Sequence, residues 1–264
     1  MDGSSQSGRY RAIFISDVHL GTRRCKAECL LDFLKHAESE YLYLVGDIVD
    51  GWRLKTSWHW PPQHNDVIQA LLRKARTGTK VVYIPGNHDE ALRDYARLAF
   101  GGIAVASDTI HATADGRRLL VLHGDEFDGI VRDALWLAKF GDRAYGLALS
   151  ANHGLNRIRR RLGMPYWSLA AYLKSRVEDA VKYVANFQRA VVDEARRRGA
   201  QGVVCGHIHK AEIRDIDGVL YCNDGDWVES CTALVEHYGG RLEILHWADL
   251  RGFSAFSAYA KAHA

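Results

Sequence analysis

The sequence has few of the features that mark fibrous, disordered, exported or membrane-spanning chains. Four prolines among 264 residues, with no internal repeat or low-complexity stretch, exclude a collagenous or disordered polymer. Five cysteines, an odd number with no Cys-x-x-Cys pair, exclude a disulfide framework and read as reduced thiols of a cytoplasmic protein. No run reaches the roughly 18 consecutive apolar residues that a bilayer-spanning helix needs. Met1 to Gly8 lacks the basic-then-apolar layout of a signal peptide, so export is not expected. The net charge of +3, from 35 basic and 32 acidic residues, is too small to indicate nucleic acid. What the chain does have is 47% hydrophobic residues, enough for one large α/β domain or two small ones, and 13 histidines whose positions are patterned.

Arg11 to Ser16 and Tyr41 to Val45 are short apolar runs, followed by helical patterns over Cys25 to His36 and Asp66 to Arg76. Lys80 to Ile84 completes a βαβαβ opening, which predicts a parallel sheet with right-handed crossovers. Leu119 to Leu122 and Gly202 to Cys205 read as further strands. The pattern differs toward the C-terminus. There Asp217-Gly218 and Gly239-Gly240 each sit between apolar runs, so two hairpins are expected. The predicted architecture is α/β, with two packed sheets flanked by helices.

Five segments fall where predicted strands end: Asp17-Val18-His19, Gly46-Asp47-Ile48-Val49-Asp50, Gly86-Asn87-His88-Asp89, His123-Gly124 and Gly206-His207-Ile208-His209. In open α/β sheets that edge collects ligands, because several strands deliver side chains into one crevice. Carboxylates, imidazoles and one amide make a mixed oxygen and nitrogen set suited to first-row divalent metals, with manganese, iron and zinc all acceptable. In Asp17-x-His19 and His207-x-His209 the period of two lets both side chains of an extended backbone point the same way. Seven ligands for two ions require a bridge, and the two oxygens of Asp47 suit that task. Paired ions can share a water, lower its pKa and stabilise charge on a phosphoryl group. Any one of these histidines alone would be an ordinary core or surface residue; Asp89 is read as a residue that fixes its loop.

This ordered series resembles the calcineurin-like metallophosphoesterases over about Asp17 to His209. The resemblance implies a two-sheet sandwich, one metal on Asp17, His19, Asp47 and His209, and another on Asp47, Asn87, His123 and His207. It implies that His88 touches substrate or protonates the leaving oxygen, with Asp50 orienting it. Gly51 stands where the phosphoprotein phosphatases carry a phosphate-gripping arginine, which argues against that branch.

Ser16 to Gly21, His123-Gly124-Asp125 and Gly225-Asp226-Trp227, together with a helical insertion, resemble the UDP-2,3-diacylglucosamine pyrophosphatases of lipid A synthesis. That group implies manganese, a lid over two acyl chains, and release of UMP; many of its members have Arg where this chain has His88. Residues 127–190 form the insertion within a single domain spanning 9–264. The insertion carries eleven Lys/Arg against five Asp/Glu, with nine aromatics including Trp136, Phe140 and Trp167, so the remainder of the chain is net acidic. Such helices suit an anionic, partly apolar ligand or the cytoplasmic face of the inner membrane. Lys174 and Lys182 are candidate diphosphate contacts; Trp52, Arg53, Trp58 and Trp60 follow Asp50 closely enough to wall the site. The expected partner is an anionic, lipid-linked small molecule, with no nucleic acid. Phe253, Phe256 and Tyr259 recur at helical spacing in the tail and are expected to dock on the protein's own surface.

Overall fold

In the first strand, Gly8–Ile15 (β1), neighbouring side chains alternate between two cores: Ile13 and Ile15 face one, Ala12 and Phe14 the other. The same division separates Leu42 and Leu44 from Tyr43 and Val45 in Ala37–Val45 (β2). Strands covered on both faces read as unbroken apolar runs, which is why they stand out in the sequence. The computed structural model describes residues 8–127 and 169–250, with side chains described for 8–127 and 181–250.

One seven-stranded sheet contains β1, β2, Lys80–Ile84 (β3), Ala99–Phe100 (β4), Ile103–Val105 (β5), Thr232–Glu236 (β11) and Leu242–His246 (β12). Its order is β12-β11-β1-β2-β3-β5-β4. The second sheet contains Thr109–Ala112 (β6), Arg118–Val121 (β7), Gly202–Cys205 (β8), Glu212–Ile216 (β9) and Val219–Asn223 (β10), in the order β6-β7-β8-β10-β9. β1, β2, β3 and β5 pair in parallel, as do β7, β8 and β10. Ala12, Phe14, Tyr43 and Leu234 of the first sheet meet Leu119, Val121, Val204 and Cys222 of the second in one buried cluster, so the sheets pack face to face. β2 starts at Ala37, ahead of the apolar run, because Gly8, Arg9 and Tyr10 pair with Ala37, Glu38 and Ser39.

Helices Ala27–His36 (α1) and Pro62–Arg76 (α3) cover the other face of the first sheet, where Leu30, Phe33, Val67 and Leu71 join the core of Ile13, Ile15, Leu42 and Leu44. Each such side chain, fully buried, contributes roughly 1.5–3 kcal/mol. α3 begins at Pro62, before its apolar stripe, because proline's fixed φ and missing N–H suit the first helical turn. A short helix, Gly51–Thr56 (α2), lacks an apolar stripe and is set by its cap: the Asp50 carboxylate accepts from the Arg53 N–H at 2.8 Å.

The chain divides into two compact units, Met1–Asp125 with Val191–Ala264, and Glu126–Ala190. In the second unit the described residues include the first part of the long helix Leu169–Arg197 (α4), where Tyr183 and Phe187 are buried and Lys182 is exposed. The remainder of that segment, including Trp136, Phe140 and Trp167, lies outside the described residues, as do Phe253, Phe256 and Tyr259. Trp247–Leu250 (α5) ends the described chain. Among the described residues no helix is long and apolar enough to cross a membrane.

A buried polar network joins the sheets away from the strand ends considered below. The fully buried Glu236 of β11 accepts from Arg11 of β1 at 2.8 Å and from the Ala114 N–H at 2.7 Å, and meets His111 Nε2 of β6 at 2.7 Å. Burial by itself raises the Glu236 pKa, but His111, the Ala114 N–H and Arg11 outweigh it and hold it below the ordinary 4.5. Its stabilising contribution is therefore complete above pH 4.5 and is lost as acid protonates the folded carboxylate. Glu236→Ala is expected to cost on the order of 3–5 kcal/mol at neutral pH, because Arg11 is left facing a hole. Urea unfolding of wild type and variant should converge as the pH falls below 4.5; a gap that stays constant with pH would rule out a charged Glu236 as the source.

Candidate metal centre

All five sequence segments lie at the C-terminal ends of parallel strands: after β1, β2 and β3 in one sheet, and after β7 and β8 in the other. The facing sheets bring these ends together. Asp47 Oδ2 lies 3.5 Å from His123 Nε2 and 3.8 Å from His19 Nε2, and Asp17 Oδ1 lies 3.0 Å from His209 Nε2. Among the described residues, three groups have ligand atoms within 4.8 Å of one another: Asp17 with His19 and His209, Asp47 with His123 and His207, and His19 with Asp47 and His88. Asp47 and His19 each belong to two of them.

The backbone at Asp17-x-His19 and His207-x-His209 is not the extended one expected from their spacing. Asp17, His19, Asp47, His207 and His209 all adopt positive φ, between 51° and 68°. For non-glycine residues the left-handed region costs roughly 1–2 kcal/mol each, so the surrounding fold must hold them there. Asp89 supplies part of that restraint. Its carboxylate accepts from the N–H groups of Ile48 at 2.8 Å and Gly86 at 2.6 Å and from the Tyr83 hydroxyl at 2.5 Å, tying the loop after β2 to the loop after β3. Gly86 is required by close approach: a Cβ there would run into Asp47 Oδ1 and the His123 ring.

Hydrogen bonds set which nitrogen of two of the imidazoles faces the centre. His123 Nδ1 donates to the Val45 carbonyl at 2.7 Å, which aims Nε2 at Asp47. His19 Nδ1 lies 3.3 Å from Asp50 Oδ2, so an ionised Asp50 accepts a hydrogen bond from the Nδ1–H and leaves the Nε2 lone pair facing the centre. Burial raises the Asp50 pKa, but His19, His88 and the Arg53 N–H hold it well below the usual carboxylate range. Burial likewise raises Asp17, and His209 with His123 and His19 draws it far down; Asp47 is lowered mainly by His123 against the same penalty. His123 responds in the opposite sense. Burial would lower it, yet Asp47 and then Asp17 push it up to about 10. The cluster thus demands positive charge, and a proton and a divalent cation compete for the same lone pairs.

Buried polar atoms give the direct test of fit. Asp17 Oδ1, His19 Nε2, Asn87 Oδ1 and His123 Nε2 are buried with no hydrogen bond among the described residues. Each such atom costs about 1–3 kcal/mol, and all four belong to the ligand set expected from sequence. Their carboxylate, imidazole and amide chemistry suits divalent first-row ions.

His88 and Asp50 also meet: His88 Nδ1 lies 3.0 Å from Asp50 Oδ1, and His88 Nε2 lies 3.9 Å from Asp47 Oδ2. The Trp52 ring packs on the His88 ring at 4.4 Å. Burial lowers the His88 pKa, but the contact with Asp50 and the charges of Asp47, Asp50 and Asp17 outweigh it and raise it. Arg53 is exposed; Trp58 is 77% exposed, whereas Trp60 packs against the helix-side core. The Lys174 side chain lies outside the described residues, and Lys182 is exposed on α4.

Sequence reading missed the residues beneath the centre. Ser16 Oγ lies 2.6 Å from both Asp17 Oδ2 and Asp224 Oδ1, and one hydroxyl proton cannot serve two carboxylates. Complete burial raises the Asp224 pKa well above the ordinary carboxylate value while Asp17 is drawn down, so of the two Asp224 is the one that takes a proton more readily. Asn223 donates to the Gly206 carbonyl at 2.6 Å, steadying the turn that bears His207 and His209. The available signal was Asn223-Asp224 at the end of β10, which runs parallel to β8, the strand that leads to His207 and His209.

The model of the calcineurin-like phosphoesterases matches residues 10–211. The UDP-2,3-diacylglucosamine hydrolase of Xanthomonas campestris pv. campestris is 28% identical over 250 residues, spanning 88% of this chain and 98% of its own. That of Chromohalobacter salexigens is 29% identical over 232 residues, spanning 78% of this chain and 83% of its own. The DNA polymerase II small subunit of Methanothermobacter thermautotrophicus is 25% identical over 262 residues; the match spans 82% of this chain but only 47% of that subunit.

Proposed function

The chain belongs to the calcineurin-like phosphoesterase family and is a metal-dependent hydrolase of phosphoric esters; on that premise we propose that its substrate is a nucleotide diphospho-lipid of the UDP-2,3-diacylglucosamine kind, cleaved to UMP and the acylated sugar 1-phosphate. The observation that carries this reading is the nearly end-to-end match to relatives named as hydrolases of that compound. The basic and aromatic composition of residues 127–190 supports it, offering cations for a diphosphate and rings for lipid at the cytoplasmic face of the inner membrane. Outside that segment the chain is net acidic, which speaks against a nucleic-acid substrate.

The residues that would hold two divalent ions are Asp17, His19, Asp47 and His209 for one, and Asp47, Asn87, His123 and His207 for the other. Ions bound there, with manganese the proposed metal, supply Lewis acidity to phosphoryl oxygens and make water a stronger acid. The chain's own residues do the rest. Asp50, locked as the cap of α2, holds His88 by Nδ1 and leaves Nε2 facing the centre, where it can give a proton to the departing oxygen. Trp52 limits the tilt of that imidazole by packing on its face.

A second reading, a phosphodiesterase or phosphomonoesterase of a polar substrate, is favoured by one feature: a titratable His88 stands where the lipid-cleaving group that the sequence resembles often has a fixed arginine cation. The two are separated by incubating the purified protein with manganese and UDP-2,3-diacylglucosamine, and identifying products by mass spectrometry. UMP and the lipid sugar 1-phosphate are expected, with stimulation by detergent or vesicles. Hydrolysis of bis(p-nitrophenyl) phosphate without turnover of the lipid, and indifference to detergent, would establish the second reading.

A further inference from the structure

Beside the metal centre lies a cavity of about 400 Å³ lined by Gly21, Thr22, Arg23, Arg24, Arg53, Ser57 and His59. Three guanidinium groups and an imidazole line it, and among the described residues no carboxylate does. Arg23, Arg24 and Arg53 are exposed and make no ion pair among the described residues, whereas Arg11, Arg93, Arg117 and Arg198 each hold a carboxylate. The adjoining cavity, of about 750 Å³, shares Thr22, Arg23 and His59, but there Glu28, Glu229 and Asp249 outnumber Arg23 and Lys26. The smaller one is uniformly basic.

Its walls are continuous with the centre. The Thr22 N–H and hydroxyl both donate to the His19 carbonyl, at 3.1 and 2.9 Å, and the Gly21 N–H donates to His64 Nδ1 at 3.0 Å. The Arg53 N–H is bonded to Asp50, the residue that also meets His19 and His88. The loop after β1 and the start of α2 thus bind the metal-side groups with one part and present cations with the next. Clustered arginines without carboxylates repel one another and are retained where an anion joins them, since guanidinium matches phosphate oxygens in paired hydrogen bonds.

We infer that this cavity is a phosphate subsite: it takes an anionic phosphoryl group of the substrate other than the one under attack. The inference rests on the proposed reading of a diphosphate substrate and assigns its second phosphate to Arg23, Arg24 and Arg53.

The test uses the full chain, with a readout that needs no catalysis. Protein stripped of metal with EDTA is titrated calorimetrically with inorganic phosphate, as wild type, Arg23→Gln/Arg24→Gln and the charge-matched control Arg73→Gln/Arg76→Gln on α3. Saturable binding is expected in wild type and control. It should weaken about tenfold or more in the first variant, the worth of roughly one charge-assisted hydrogen bond, and be largely recovered in Arg23→Lys/Arg24→Lys. With manganese restored, the preference for a UDP-linked diphosphate ester over bis(p-nitrophenyl) phosphate should fall about tenfold in the glutamine variant, through KM. Absence of phosphate binding in wild type, or binding that survives in the glutamine variant, overturns the subsite. Wild-type turnover of the diphosphate ester by that variant also overturns it while leaving the proposed function standing. Phosphate binding without turnover of any diphosphate ester by wild type overturns the functional reading and, with it, the assignment to a second phosphate. Loss of retention on phosphatidylglycerol vesicles with no change in KM would reassign the arginines to lipid headgroups and overturn the proposal.

Discussion

Asp47→Ala is expected to reduce turnover by more than about 10³ and to leave the protein unable to retain its metal. The carboxylate lies within 4 Å of His19, His88 and His123, which belong to separate loops, so it is where the two proposed ion sites overlap. Removing it takes a ligand and a negative charge from both at once, and with them the electrostatic stabilisation of the phosphoryl group, for which even a single lost donor costs about 10²–10³. Asp47→Asn separates charge from shape: the amide oxygen can still accept from the His88 N–H, as Asp47 Oδ1 does at 2.8 Å, but brings no charge. It should lose metal almost as completely. Metal content by plasma mass spectrometry, read beside kcat, decides the matter. Full metal content and normal turnover in either variant would remove Asp47 from the centre.

His88→Ala should behave differently, keeping its metal while kcat falls by about 10²–10⁴, the usual range for a lost general acid. The geometry poses a real alternative, because His88 shares one of the three ligand-like groups with His19 and Asp47. The distances bear on the choice. His88 is held through Nδ1 by Asp50 at 3.0 Å, while its Nε2 remains 3.9 Å from Asp47 Oδ2. Asp50→Asn supplies the companion measurement: the ring would keep a neighbour of the same shape but lose the carboxylate that raises its pKa, so the decline in kcat should be accompanied by a shift in the pH profile of activity. If His88→Ala emptied the site of metal, the residue would be a ligand and its role as proton donor would have to be withdrawn.

Much of the centre was legible because its residues belong to short local motifs. Asp17-x-His19, Asp47, Asn87-His88, His123 and His207-x-His209 each follow an apolar run, and the ends of parallel strands are where such groups converge. Asp89 was read as a loop-fixing residue, and its bonds to Ile48, Gly86 and Tyr83 do that. Less legible were Ser16, Asn223 and Asp224, whose importance comes from burial beneath Asp17 and not from any ligand-like spacing. The positive φ of five candidate ligand residues left no trace in the sequence, since aspartate and histidine are not the residues that announce a left-handed turn as glycine does.

Local pattern alone determined the βαβαβ opening, the two C-terminal hairpins and the order of the candidate ligands, because apolar periodicity and turn chemistry act over a few neighbouring residues. Only the tertiary structure decided that the hairpins part company, β9 and β10 extending one sheet while β11 and β12 extend the other beside β1. Two hairpins with similar local signals can join either sheet, and the choice rests on long-range burial: Leu234 and Cys222 enter the same inter-sheet core from opposite sides. The arginine-lined cavity is of the same kind. Arg53 is distant in the chain from Arg23 and Arg24, and the three line one cavity because Leu20 bridges to Val49 and draws the two loops together.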